Sequence, residues 1–88
     1  MDEKKAKEIL KKEGFKEIYL HTDSPNEHYP PHKHAKYAAH IILKGTMEIK
    51  TKGISKYLKT GDRFDVKPLE VHEAFIGNEG CTYIVANK

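Results

Sequence analysis

The chain has 88 residues, a formal net charge of +3 and a single cysteine, Cys81. A chain of this length supports one small hydrophobic core, and one cysteine excludes an internal disulfide or a cysteine-rich zinc module. Its 16 basic residues are interleaved with 13 acidic ones and form no basic block, which favours a solvated surface over a nucleic-acid interface. No apolar run approaches the ~18–20 residues that span a bilayer. Since no signal-peptide pattern opens the chain, we expect a cytoplasmic protein without membrane or nucleic-acid partners.

The first segment, residues 2–13, is predicted to be a short amphipathic helix. Asp2 is a suitable N-cap, and Gly14 suits the position just beyond the end of a helix. The apolar residues at helical spacing are Ala6, Ile9 and Leu10. Because this stripe is narrow, we expect the helix to lie across the outside of a larger unit, with Phe15 anchoring its exit.

The rest of the chain is predicted to form short strands separated by turns. The strands predicted from alternating apolar residues are 17–22, 38–44, 47–51, 54–58, 63–66, 71–76 and 81–86. Turn signals separate them, among them Gly45-Thr46 and the segment 77–80. Short strands at intervals of about 8–12 residues with glycine turns predict an all-β sandwich or barrel.

The stretch from Tyr29 to Gly45 carries the strongest indication of a functional site. His32 and His34 follow two prolines and are predicted to lie on a strand, where residues two apart share a face. Their spacing along such a strand is about 6.5–7 Å, so both imidazoles can bind one metal ion. Imidazole suits Zn, Cu, Fe and Ni, so the pair does not choose among them. His40 should share a face with residues 38 and 42 if that strand is regular.

These histidines and glycines resemble the cupin family, whose members are small jelly-roll β-barrels. His32 and His34 match the paired histidines of the first cupin motif, and Gly45 matches its closing glycine. Gly61 opens the second motif, and His72 follows at the expected distance of eleven residues. The resemblance covers about residues 17–86. Together with the predicted helix, it divides the chain into an N-terminal helix over residues 1–14 and a single cupin domain over residues 15–88.

The chain departs from the cupin pattern at four places. The first glycine of the first motif is absent, and the position of the metal-binding glutamate holds Ala38. In the second motif the proline is displaced to Pro68, Leu69 occupies the glycine position, and Ile76 replaces the final asparagine. The histidine positions and the two glycine turns are intact, so the fold assignment holds.

By this resemblance, His32, His34 and His72 point into the barrel and bind a divalent transition metal, which can be Fe, Mn, Ni, Cu or Zn. Three neutral imidazoles leave other coordination positions open for water, substrate or O₂. The set is similar to that of the three-histidine thiol dioxygenases of the cupin superfamily, which also lack the carboxylate. Losing the carboxylate raises the net charge of the site by one, which favours an anionic ligand.

His40 has three predicted roles. It is a candidate fourth metal ligand in place of the missing glutamate, although its Cβ is displaced from the Ala38 position by about one strand repeat, ~6.5 Å. It is also the catalytic candidate, as an acid/base or substrate-orienting group. The third role is that of a hydrogen-bonded pocket histidine.

Other histidines and the cysteine are expected to lie outside this site. His28 is predicted to be a surface residue, and His21 is predicted to face solvent or to pack beside the barrel. Tyr29 is expected to pack at the mouth of the barrel. Cys81 is expected to behave as a small buried apolar residue.

Two classes of function fit these residues. One is a metal-dependent enzyme with oxygenase-type or other small-molecule chemistry at the three-histidine centre. The other is a non-catalytic cupin module that holds a metal or a small ligand, with a metal-free, sugar-binding-like form as a variant of it. By analogy with small cupins, we expect a homodimer, in which the strand at 17–22 can pair or exchange between subunits.

Overall fold

The computed structural model describes residues 1–88 as one helix and six strands. The helix α1 spans Glu3–Lys12, and the strands are β1 Glu17–Asp23, β2 His28–His32, β3 Ala38–Thr51, β4 Ile54–Leu58, β5 Arg63–Val66 and β6 His72–Asn87. Every strand pair is antiparallel. The predicted class, an all-β jelly-roll barrel of the cupin type with one short N-terminal helix, is confirmed.

The two long strands β3 and β6 form the framework, because each of them belongs to two layers. The first half of β6 pairs with β2 and with the second half of β3, while its second half pairs with β1 and with the first half of β3. The outer neighbours of β3 are β5 along its first half and β4 along its second half. The strand orders of the two layers are therefore β1-β6-β3-β5 and β2-β6-β3-β4.

The turns predicted at Gly45-Thr46 and at 77–80 are wrong, because both segments lie inside the long strands. Gly45 and Gly80 have φ values of 81° each, and the β3–β6 register shifts between Gly45 and Met47. A Cβ on Gly45 would overlap the carbonyl oxygen of Gly80, so the two backbones meet too closely for a side chain. Each glycine therefore marks a bulge at which its strand bends from one layer into the other.

The predicted helix is confirmed, and it covers the outer face of the first layer. The Asp2 carboxylate accepts a hydrogen bond from the backbone N–H of Lys5 at 2.7 Å, and Gly14 follows the helix with φ 93°. The helix and the outer face of the sheet share a cluster of buried apolar residues, namely Ala6, Leu10, Phe15, Ala39, Ile41, Ile84 and Ala86. At ten residues, α1 is not long and apolar enough to cross a membrane.

The inner face carries a second apolar cluster, contributed by the alternate residues of the same strands. Its members are Ile42, Met47, Ile49, Leu58, Phe64, Val66, Ala74, Ile76, Cys81 and Tyr83. Cys81 is buried, as predicted, and burial raises the pKa of its thiol to about 11. Ala39 and Ile41 belong to the outer cluster, whereas Ala38 and His40 line the inner cavity. The alternation therefore turns His40 inward, as the sequence predicted.

Candidate functional site

A cavity of about 430 Å³ opens on the inner side of the barrel. Its polar lining residues are His21, Tyr29, His32, His34, Lys36, His40, His72, Tyr83 and Asn87. No aspartate or glutamate is among the lining residues. A volume in the range of about 300–1,000 Å³ is typical of small-molecule sites. The cavity wall therefore carries several imidazoles and no acidic side chain.

The three histidines predicted to act together meet at one end of this cavity. One ligand nitrogen from each of His32, His34 and His72 lies within 4.8 Å of the others. The ring centroids are 4.1 Å apart for His32 and His72, and 4.9 Å apart for each pair that includes His34. Three imidazole nitrogens this close to one another could hold a single ion, for which bonds of about 2.0–2.1 Å are typical.

Strand pairing and one loop contact bring these three residues together. His32 ends β2 and is the direct cross-strand partner of His72, which begins β6. The prediction that His34 lies on the same strand as His32 is wrong, because the chain leaves β2 after His32. The backbone N–H of Leu69 donates a hydrogen bond to the carbonyl of His34 at 2.7 Å. This contact ties the loop of His34 to the loop that precedes His72.

The orientation of two of the rings is set by backbone carbonyls. His32 Nδ1 donates to the carbonyl of Pro30 at 2.7 Å, and His72 Nδ1 donates to the carbonyl of Glu70 at 3.0 Å. Because a carbonyl only accepts, the proton is on Nδ1 and the lone pair is on Nε2 of each ring. Metal-binding histidines in proteins are held in the same way.

Burial disfavours the charged form of two of these histidines, His34 and His72. It lowers the pKa of His34 below its usual value, and the neighbouring imidazoles lower it further. Burial also lowers the pKa of His72, although the hydrogen bond to the carbonyl of Glu70 opposes this effect. Since metals bind the neutral imidazole, these shifts reduce competition from protons at mildly acidic pH.

His40 lines the same cavity but stands apart from the three-histidine group. Its Nδ1 donates to the carbonyl of Phe64 at 3.1 Å, which leaves Nε2 as the free acceptor. Burial lowers the pKa of His40 to about 4, so the ring is neutral at pH 7. Its ring centroid lies 5.9 Å from that of Tyr83. The roles of His40 as fourth ligand or catalytic residue stay predictions.

A buried acidic residue that the sequence analysis missed lies behind the cavity wall. Asp23 ends β1 and is 3% exposed, although it begins a dense turn signal in the sequence, Asp-Ser-Pro-Asn at residues 23–26. Its carboxylate accepts hydrogen bonds from the Tyr83 hydroxyl at 2.7 Å, from His21 Nε2 at 2.7 Å and from the Tyr29 hydroxyl. Alternation places Asp23 on the same face as His21, which was expected to face solvent or to pack beside the barrel, so no local signal marked Asp23 as buried.

The two remaining histidines, His21 and His28, lie outside the three-histidine group. His21 is 48% exposed but lines the cavity, so it does more than pack beside the barrel. His28 is an exposed residue, as predicted, and lies outside the cavity lining. It pairs with Glu73 at 2.8 Å and stacks on Phe75 with ring centroids 4.4 Å apart.

The jelly-roll layers and the inward-facing histidines define a cupin-type protein. The sequence matches the family model of the AraC-like ligand binding domain over residues 14–85. The chain therefore belongs to the AraC-like ligand binding domain family. A search of curated protein sequences finds no match.

Solved structures of cupins are similar in fold. A cupin-like protein from Thermotoga maritima has a TM-score of 0.72 at 20% identity, over 81% of this chain and 55% of that protein. An RmlC-like cupin from Shewanella frigidimarina has a TM-score of 0.70 at 22% identity, over 81% of this chain and 65% of that protein. The DMSP lyase DddQ from Ruegeria pomeroyi has a TM-score of 0.74 at 21% identity, over 81% of this chain and 36% of that protein. This chain thus spans about one third to two thirds of the length of these three structures.

Proposed function

We propose that this protein binds one divalent transition metal ion through His32, His34 and His72, and a small anionic molecule at that ion. The observation that carries the proposal is the convergence of three imidazole nitrogens within 4.8 Å of one another in a ligand-sized cavity. Two of the rings are held by their Nδ1 protons, with Nε2 left free. Membership of a ligand-binding domain family supports a small-molecule ligand.

The residues around the site favour an anion. A divalent ion bound by three neutral imidazoles keeps its full positive charge, because no acidic residue lines the cavity. When bound, such an ion supplies a Lewis acid with open coordination positions. The donor set suits Fe, Mn, Ni, Cu or Zn, since imidazole binds all of them. A carboxylate or a similar anion would supply the missing negative charge.

His40 is proposed as the residue that contacts the bound molecule beside the ion. Its Nε2 is free, and its low pKa of about 4 keeps that nitrogen unprotonated at pH 7. In this state the ring accepts a hydrogen bond or a proton and does not donate one from Nε2. If the protein is an enzyme with oxygenase-type or other small-molecule chemistry, His40 is the general-base candidate. The alternative of a fourth ligand uses the same nitrogen.

Metal binding is tested by elemental analysis and Co²⁺ titration of protein purified without a histidine tag. We expect wild-type protein to bind about one equivalent of metal, and the His72→Ala variant to lose it. His28→Ala is the matched control, because it removes an exposed histidine outside the cavity and should retain the metal. No uptake by wild-type protein, or equal uptake by His72→Ala, would contradict the proposal.

Catalysis is separated from binding by the His40→Ala variant. An enzyme would show turnover of a candidate substrate that disappears in a His40→Ala protein still loaded with one equivalent of metal. A binding module would show ligand affinity without turnover in either protein. Loss of the metal from His40→Ala would instead assign the residue as the fourth ligand.

A further inference from the structure

We propose that the hydroxyl oxygens of Tyr29 and Tyr83 form a second subsite of the cavity, which accepts a hydrogen bond from a hydroxyl group of the ligand. Asp23 is the positioning residue that gives the two tyrosines this role. The inference rests on the proposed function and deepens it, because it defines the ligand class as a small hydroxy carboxylic acid. The carboxylate would bind at the three-histidine end, and the hydroxyl group would bind at the tyrosines.

The direction of the tyrosine hydrogen bonds follows from the buried carboxylate. Both tyrosine hydroxyls donate to the carboxylate of Asp23, so their protons point to that residue. Oδ1 accepts from Tyr29 and His21, and Oδ2 accepts from Tyr83. With Asp23 only 3% exposed, water does not compete for these bonds. Both phenol protons are therefore committed to the protein.

A tyrosine hydroxyl that has donated its proton can still accept hydrogen bonds. Each phenol oxygen has one proton and acceptor lone pairs. Because the proton is bonded to Asp23, each oxygen can contact a ligand only as a hydrogen-bond acceptor. Both side chains line the cavity, whereas Asp23 does not. Burial raises the pKa of each phenol, and the hydrogen bond to Asp23 raises it further. Both phenols therefore stay protonated. The subsite therefore selects a donor, such as a ligand hydroxyl.

The position of the two rings places this subsite beside the histidines. The Tyr29 ring centroid lies 6.3 Å from that of His32, and the Tyr83 ring centroid lies 5.9 Å from that of His40. Because both tyrosines and the three histidines line one cavity of about 430 Å³, a small molecule bound there can contact both groups. A hydroxy acid matches both ends, because one end of the site needs negative charge and the other needs a donor.

The test compares matched pairs of ligands. The probes are ω-hydroxy carboxylates of increasing chain length, each against the unsubstituted acid of the same length, titrated into metal-loaded protein by calorimetry. We expect at least one hydroxy acid to bind about three- to tenfold more tightly than its partner, as one added hydrogen bond implies. The preference should fall in Tyr29→Phe and Tyr83→Phe and vanish in the double variant.

Two further variants separate a subsite from a structural effect. Tyr37→Phe is the matched control, since the Tyr37 hydroxyl donates to Asp65 at 2.6 Å but the residue does not line the cavity. It should keep the full hydroxyl preference. Asp23→Asn conserves shape but adds an N–H donor, which can turn a tyrosine proton toward the cavity. We expect it to reduce the preference for the hydroxy acid while circular dichroism confirms the fold.

Failure of this inference is distinguishable from failure of the metal site. A hydroxyl preference that persists in the double variant, or is absent for every pair, overturns the tyrosine subsite even when metal uptake is normal. If wild-type protein takes up no metal, the same pairs are measured on metal-free protein by ligand-observed NMR. A preference seen there and lost in Tyr29→Phe supports the subsite alone, and no preference overturns it. Tyr29→Phe also serves if the double variant does not fold, because Tyr29 is less buried than Tyr83.

Discussion

The buried position of His40 predicts how the free energy of unfolding depends on pH. Its Nδ1 proton is bonded to the carbonyl of Phe64, and burial lowers its pKa from 6.5 to about 4. In the unfolded chain the same imidazole titrates near 6.5. As the pH falls below 6.5, the unfolded state therefore binds a proton before the folded state does. The stabilisation is present above pH 6.5 and is lost as the pH falls toward 4.

The size of this effect follows from the two pKa values of His40. A difference of about 2.5 pKa units corresponds to about 3 kcal/mol over the whole transition. Between pH 8 and pH 5 the integrated loss is about 2 kcal/mol, because the folded form is still largely unprotonated at pH 5. This is a large share of the roughly 5–15 kcal/mol that stabilises a domain.

The assay is urea denaturation of metal-free protein at pH 8 and pH 5. We expect the wild-type free energy of unfolding to fall by about 2 kcal/mol more than that of His40→Gln, which has no titrating ring. His28→Gln, with an exposed histidine replaced, should keep the wild-type difference. His34 and His72 remain in all three proteins, so their contributions cancel in the comparison. Equal pH dependence in wild type and His40→Gln would refute the reasoning.

Three other predictions concern the buried acid, a strand bend and the oligomeric state. Asp23→Ala should lower the free energy of unfolding by about 1–3 kcal/mol in denaturation curves, because it leaves the buried Tyr83 hydroxyl without an acceptor. Gly45→Ala should destabilise the fold by at least about 2 kcal/mol more than Gly53→Ala, since both have positive φ but only Gly45 lies against another backbone. Light scattering at micromolar concentration should give twice the 10.1 kDa chain mass, and Leu20→Lys on the exposed side of β1 should reduce it.

A specific result would contradict each of these three predictions. A loss below about 1 kcal/mol in Asp23→Ala would mean that the tyrosine hydroxyls find other partners. Equal effects of Gly45→Ala and Gly53→Ala would mean that the two backbones separate without cost. A monomer mass for the wild-type protein would remove the homodimer from consideration.

The sequence predicted the strands well and their connections less well, because sequence patterns carry information only about residues that are close together in the chain. Alternation and glycine spacing located nearly every strand, because both signals lie within a few residues of one another. A glycine with positive φ is equally suited to a turn and to a bulge. Whether Gly45 ends a strand or bends it depends on its approach to Gly80, which is thirty-five positions away in the sequence. No local pattern contains that information.

The site shows the same division between local and distant information. His32, His34 and His72 could be predicted as a group because the cupin motifs keep a fixed spacing, and their ligand nitrogens lie within 4.8 Å of one another in the structure. Asp23 was missed because the residues after it, Ser-Pro-Asn, predict an exposed turn. Its burial depends on Tyr83, which is sixty residues away in the sequence. Tyr83 lies on β6, the strand that pairs with β1.

The placement of acidic residues bears on which group would supply negative charge to a metal ion held by the three histidines. Ala38 occupies the position where the resembling cupins have glutamate, and it is 2% exposed on the cavity wall. Asp23 is not among the cavity-lining residues, and its carboxylate accepts hydrogen bonds from two tyrosines and His21. Asp65 accepts from Tyr37 and Arg63, and Glu70 accepts from the backbone of Lys67 and from Thr51, so both are also committed elsewhere. An ion held by neutral imidazoles would then attract an anion strongly, because the cavity offers it no competing carboxylate. Under the proposed function, Ala38 in the glutamate position leaves a coordination position that a bound acid, and not a side chain of the protein, would fill.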